Sequence, residues 1–425
     1  MKKIVQRLLT IIVAVLIIIG LLSYLGKTLV IKNSEAKYRD FFEEDKDFDI
    51  LFLGTSHVID AVYPLEIWDD QGYTSYNMGG HSTPIATQYW VLKNSLDYTR
   101  PKMVVVDCYS LMDNIKVSDN FDYAHISMDC FPLSPTKVKA TFDLMDGDSE
   151  HSALDLLWPF SIYHNRWTEL TDKDFNVEYN RLKGAERLIH VEKPDEYIPI
   201  DKNLVLTEDT VAIHYMNRII EECQSRGIEV LLVYLPFVAA DYRQMEANTV
   251  YSIAEKYGVN YINFLDMELV DFYTDLEDTG AHLNPAGGNK VTHYIGEYIA
   301  DNYNLVNHHG DSLYADWDED LAVYLNNKKD DFIYNTDPYE YMMMLCDNDI
   351  SVEMELYDSV IYVDPISVKM LKSIGCYTEN VIDRPDKFDD NVCAALKVYD
   401  AKTGDIIETG LFSVTYQIEL TKFYE

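Results

Sequence analysis

Five short apolar runs, rich in β-branched and aromatic residues, punctuate the chain between Phe48 and Phe264: Phe48–Leu53 (FDILFL), Thr74–Asn77, Lys102–Asp107, Glu229–Leu235 and Val259–Phe264. Between or after them lie stretches with helical spacing, Ile85–Leu96, Thr210–Arg226, Tyr242–Tyr257 and Gly287–Tyr303. Parallel strands need long crossovers, so strands that alternate with helices predict a parallel sheet covered on both faces. The pattern predicts a flavodoxin-like α/β three-layer sandwich over residues 47–305. One interval breaks the alternation: Tyr109 to Leu206 holds no clear strand and is expected to be an insertion, residues 109–206, over one end of the sheet. Ligands of open α/β sheets lie beyond the carboxyl ends of the strands, so such an insertion is expected to shape the pocket.

Ahead of this pattern, Leu8–Leu25 reads LLTIIVAVLIIIGLLSYL, 18 residues without a charge, preceded by Lys2, Lys3 and Arg7. A run of that length crosses the hydrocarbon core of a bilayer with help from its flanks. Positive residues stay on the cytoplasmic side, which predicts a single-pass anchor over residues 1–30, its N-terminus cytoplasmic and the bulk of the chain outside. A cleaved signal peptide is the competing reading, but SYLGKTLVIKNSEAK offers no A-x-A-like site. Residues 31–46 are expected to form a stalk with a short helix. Beyond Val306 a polar join leads into strand-like runs, Ser351–Leu356, Ser359–Asp364, Ala394–Gly410 and Leu411–Leu420, with a hairpin at Lys397–Glu408. These predict a small α+β domain over 306–425.

Seventy-two acidic against 35 basic residues give a formal net charge of −37, spread along the chain. Nucleic acid is a poor partner for such a surface, because phosphate neutralisation needs clustered Lys and Arg. The acidity itself reads as a solvated, self-repelling surface. The six cysteines show no metal-site spacing; buried thiols are expected, with disulfides left open. No His-x-x-x-His pair or carboxylate cluster suggests a metal, and no motif calls for a cofactor.

Three loops carry the candidate chemistry. The first strand runs into Gly54-Thr55-Ser56-His57, which holds a serine at the carboxyl edge of the sheet, where a helix begins; alone, such a turn is most often a simple helix cap. After the second strand comes Asn77-Met78-Gly79-Gly80-His81, where glycine lets backbone N–H groups approach a reacting carbonyl. Before the last helix, Asp278-Thr279-Gly280-Ala281-His282 puts a carboxylate and an imidazole in one loop. A carboxylate on one ring nitrogen fixes the tautomer, and the other nitrogen then takes a serine proton.

Serine after strand one, Asn-x-Gly after strand two and Asp with His after the last strand resemble the SGNH or GDSL-like hydrolase superfamily, over roughly Phe48 to Tyr303. The resemblance implies Ser56 as nucleophile, His282 as base, Asp278 as its orienting partner, and the N–H groups of Ser56 and Gly79 as an oxyanion hole. Gly-Thr-Ser-His stands where the superfamily has Gly-Asp-Ser-Leu, and Asp and His are four apart rather than three. Val106-Asp107-Cys108-Tyr109-Ser110 carries no asparagine for the third oxyanion donor, and His57 is the candidate replacement. With its anchor, the chain is similar to the membrane-bound branch that serves teichoic-acid D-alanylation and polysaccharide O-acetylation. That likeness implies an acyl-Ser56 intermediate passed to a cell-surface polysaccharide or polyol, beside a membrane-bound O-acyltransferase. An envelope deacetylase and a non-catalytic scaffold are the alternatives. His57, Asn77, His164 and Arg166 are the candidate substrate contacts, the last two from the aromatic segment Trp158–Trp167.

Overall fold

The computed structural model describes residues 2–177, 181–194, 199–357, 365–377 and 380–413. The five apolar runs become five parallel strands, β1 (Ile50–Leu53), β2 (Ser75–Asn77), β3 (Met103–Asp107), β4 (Glu229–Tyr234) and β5 (Asn260–Asn263), in the order β2-β1-β3-β4-β5. This is the flavodoxin-like order. Because strand side chains alternate, each strand feeds two cores. Leu51, Leu53, Val104, Val106, Leu232 and Tyr234 enter one. Ile50, Phe52, Met103, Val105, Leu231 and Val233 enter the other. Burial on both faces is why these runs read as continuously apolar.

The helices follow in chain order: α1 (Lys2–Leu29), α2 (Asn33–Glu43), α3 (Ser56–Ala61), α4 (Pro64–Gln71) and α5 (Ile85–Ser95). Then come α6 (Phe121–Met128), α7 (Pro135–Leu144), α8 (Ala153–Leu157) and α9 (Phe160–Tyr163) of the insertion, followed by α10 (Val211–Ser225), α11 (Asp241–Tyr257) and α12 (Pro285–Asn302). Helix α1 is apolar over Lys3–Leu29, a length that can cross a membrane, and its apolar window is wholly unburied by the rest of the chain. Among the described residues the insertion holds no strand. Its helices α6 and α7 pack on α5, and α6 also packs on α2, along the flank of the sheet. The return segment reaches the sheet edge instead: Lys183 O accepts from Asn77 N–H and Glu186 N–H donates to Ile59 O.

Two expectations need correcting. The stalk is not free of the sandwich, since Tyr38 and Phe41 of α2 are buried in its core, against Tyr76 and Phe48. The polar join after Val306 runs into a helix where strand-like runs were expected to follow. From Ala315 to Tyr334 the chain forms a 20-residue helix, α13, whose Trp317 packs on Trp68 of α4. Its charged residues hid the stripe Trp317, Tyr324, Lys328 and Phe332, which falls on one helical face and is buried.

After α13 come α14 (Pro338–Leu345), β6 (Ile350–Leu356), α15 (Pro365–Ser373), β7 (Val392–Asp400) and β8 (Ile406–Ser413). The three strands form an antiparallel sheet, β6-β7-β8, with a separate core of Met343, Met370, Leu371 and Phe412. The hairpin expected at Lys397–Glu408 is the β7–β8 connection, with Gly404 at φ +76° in the turn. Leu411–Ser413 extends β8 rather than starting a new strand; Ser359–Asp364 and the rest of the last run lie outside the described residues. All six cysteines are free.

Candidate active site

Strand β1 ends at Leu53, and Gly54 allows the chain to turn at once into α3: a Cβ at position 54 would lie 2.2 Å from Val58 Cγ2 and 2.9 Å from Asp107 Cβ. Thr55 caps α3, its hydroxyl accepting from His57 N–H, and Ser56 is the first helical residue. The N–H groups of a first helical turn have no carbonyl within the helix, so Ser56 N–H is left available. Across the sheet edge, the loop before α12 is closed by Asn284. Its side chain donates to Thr274 O and Leu276 O and accepts from Gly287 N–H, so it caps the helix and pins the loop together.

That loop delivers the base. Ser56 Oγ lies 2.8 Å from His282 Nε2, and His282 Nδ1 lies 2.7 Å from Asp278 Oδ2. The second carboxylate oxygen, Oδ1, accepts from the N–H groups of Gly280, Ala281 and His282. Burial alone raises the Asp278 pKa, but the His282 bond and these three N–H groups outweigh it and hold the carboxyl well below the usual carboxylate range. The same carboxylate raises the His282 pKa, against partial burial. The arrangement is that of a hydroxyl, a base whose tautomer is fixed, and an ionised orienter.

The second loop behaves differently from its expectation. Asn77 is fully buried and its side chain is consumed: Nδ2 donates to Val58 O and Val62 O, and Oδ1 accepts from Gly79 N–H at 3.0 Å. Asn77 therefore holds α3 in place and does not face a substrate. Gly79 N–H is turned onto that amide, which removes it from the oxyanion hole expected of it. Glycine is still required there, because a Cβ would lie 2.9 Å from Thr55 O.

His57 remains. Its imidazole sits against Tyr109, Phe237 and His282, with ring centroids 4.3, 4.8 and 5.7 Å away. Burial first, then the fields of His282 and Arg243, push its pKa down to about 3, so the ring is neutral at physiological pH. Neither ring nitrogen has a protein hydrogen-bond partner among the described residues. The block that lacks an asparagine sends no amide to the site: Asp107 is buried and accepts from Leu235 N–H.

His164 and Arg166 are placed elsewhere. Arg166 donates to Leu29 O at the end of α1 and to Asp174, and His164 is exposed and bonded to Ser161 O. None of these bonds is to a triad residue, and the aromatic segment that carries them, Trp158–Trp167, packs on α1 rather than on the site.

Sequence reasoning also missed residues beside the triad. Asp60, four residues after Ser56 on the same short helix, is buried, has an Oδ1 without a partner, and is pushed up to about 7 by burial. Lys37 reaches into the same electrostatic environment from α2, its ammonium buried without a hydrogen-bond partner and lowered to about 8 by burial. Glu186 of the return segment and His81 complete the group, 3.9 Å apart. The i, i+4 spacing of Ser56 and Asp60 was visible as one helical face. Nothing local marked Lys37, because its proximity comes from the docking of α2.

No protein-family model matches the chain, and the search of curated proteins likewise returns no match. Solved structures to which it is similar include a GDSL-like lipase from Bacteroides thetaiotaomicron, at 9% identity and a TM-score of 0.33, covering 63% of this chain and 98% of that one. Another is a "putative acylhydrolase" from Bacteroides fragilis, at 11% identity and a TM-score of 0.30, covering 62% of this chain and 95% of that one.

Proposed function

We propose that this chain is a membrane-anchored serine enzyme that moves or cleaves acyl esters, with Ser56 as nucleophile. The observation that carries the reading is the unbroken relay Ser56–His282–Asp278, assembled from two loops 226 residues apart at 2.8 and 2.7 Å. A serine hydroxyl is a weak nucleophile until an adjacent base takes its proton. In the first half-reaction Ser56 Oγ attacks an ester carbonyl while His282 Nε2 takes the hydroxyl proton. His282 then returns that proton to the departing alcohol, leaving acyl-Ser56. In the second half, water or an acceptor hydroxyl attacks the acyl group, and His282 again accepts and returns one proton.

Charge develops on the carbonyl oxygen in both halves. The N–H of Ser56 and a ring N–H of the neutral His57 are the donors assigned to it, in place of the Gly79 N–H that Asn77 occupies. A neutral imidazole donates a hydrogen bond without acting as an acid.

The finer reading is O-acyl, chiefly O-acetyl, transfer to hydroxyls of a cell-surface polysaccharide or teichoic-acid-like polymer, with a membrane-bound O-acyltransferase as the source of acyl groups. It is supported by the anchor helix, which ties the site to a bilayer, and by the polar set Asp60, Glu186, His81 and Lys37 near the triad, suited to hydroxyl groups. An esterase uses the same acyl-enzyme, with water as the acceptor.

The test is covalent. The full chain in detergent should take up a fluorophosphonate probe and release chromophore from a chromogenic acetyl ester, and Ser56→Ala should do neither. Equal labelling of both proteins would remove Ser56 from the mechanism, and no labelling of either would leave a scaffold that keeps the fold. Product analysis with a polyol present separates transfer from hydrolysis.

A further inference from the structure

Helix α1 does not leave the protein freely at its outer end. A Cβ on Gly26 would lie 3.3 Å from Phe160 Cβ, and Leu29 O accepts from Arg166. The uncharged run ends at Leu25, so at about 1.5 Å per residue Gly26 to Leu29 rise roughly 6 Å beyond the hydrocarbon edge. The headgroup zone is about that deep on each side of a bilayer. Everything that touches Gly26–Leu29 therefore lies at headgroup height.

The segment that makes this contact, from Leu154 to Phe175, is rich in exposed apolar and aromatic side chains. Leu154, Trp167 and Phe175 are 62%, 69% and 64% exposed, and Trp158 and Phe160 between them are half-buried. Large apolar side chains grouped on one exposed patch mark an interaction surface. Tryptophan beside a spanning helix belongs to the interfacial belt of membrane proteins. Asp155, Glu169 and Asp172 stand among them against a single base, Lys173, outside the Arg166–Asp174 pair, so the segment is net acidic and is held by insertion of rings rather than by attraction to anionic headgroups.

We propose that the segment from α8 to Phe175 is a second membrane contact, a foot that inserts Trp158, Trp167 and Phe175 into the outer interface of the bilayer α1 crosses. The Arg166 bonds to Leu29 O and to buried Asp174 lock the foot to the anchor, so the sandwich stands at a fixed height and tilt. The inference rests on α1 spanning a membrane.

The chain has five tryptophans, and Trp68, Trp90 and Trp317 are buried. The experiment uses the full chain in nanodiscs of phosphatidylcholine, with acyl chains either plain or dibrominated near the headgroup. Brominated discs should cost up to about two fifths of the emission, two indoles of five, and Trp158→Phe with Trp167→Phe should abolish that loss. Equal emission in the two lipids, or quenching that survives the double variant, overturns the foot. Failure of the chain to co-elute with discs at all overturns the anchor, and the foot with it.

Discussion

Asp278 accepts four hydrogen bonds, one from His282 Nδ1 and three from backbone N–H groups, and this sets the pH behaviour of the site. His282 acts as a base only when neutral, and its folded pKa is raised above 6.5 chiefly by Asp278. Activity should therefore rise with pH through that raised value and fall away below it. The stability linkage runs the other way: a raised pKa stabilises the folded chain below pH 6.5, and this is lost as pH climbs through the folded value. Asp278→Asn should shift the acid limb of kcat/KM to lower pH while lowering kcat; an unmoved limb would mean another group sets it. Because triad members act as a unit, Ser56→Ala and His282→Ala should lose comparable activity in kcat. His57→Ala should lower kcat by about 10²–10³-fold with little change in KM, the cost of one oxyanion donor. A change confined to KM would make His57 a packing residue.

At the scale of elements, the site depends on close backbone approaches as much as on side chains. Gly184 in the return segment adopts φ +86°, and a Cβ there would sit 2.2 Å from Asn77 O. That carbonyl belongs to the residue that pins α3, and α3 carries Ser56. Gly184→Ala should cost about 1–3 kcal/mol through strain and overpacking, and should lower esterase activity in the same preparation, read by thermal melting and turnover. Full activity with a lowered melting temperature would separate the return segment from the site. The start of α3 at Ser56 was expected from the turn before it, but α4 was not foreseen, because eight residues are too short for periodicity to declare itself.

Across the whole molecule, a buried ionic network joins the sandwich to the C-terminal domain. Lys328 of α13 bridges Glu66 of α4 at 2.7 Å and Asp349 at 2.5 Å, and His293 of α12 lies between Asp349 and Asp70. Lys328→Met would leave buried Glu66 without its cation and Asp349 with His293 alone, and should cost about 3–5 kcal/mol, seen as a lower melting temperature. Burial opposes charge on His293, but its two carboxylate partners prevail and push its pKa up to about 11. Its contribution is complete below pH 6.5 and fades as pH rises toward 11, so melting temperature should fall across that window. His293→Gln should flatten the slope; an unchanged slope would place the titration elsewhere.

The residue order alone determined the parallel sandwich, because strands buried on both faces must be apolar throughout and crossovers must be helical. It also marked the long apolar N-terminal helix, and it offered Ser56, Asp278 and His282 as candidates through three motifs taken together in their order along the chain, no one of which singled them out alone. Only the tertiary structure decided which polar groups are already spent. Asn77 and the Gly79 N–H satisfy each other, Arg166 holds the end of α1, and Lys37 comes near Asp60 and Glu186 through the docking of α2, none of which residue type and spacing alone encode. The same holds for α13, whose buried Lys328 reads as surface in sequence and is interior because Glu66 and Asp349 meet it there.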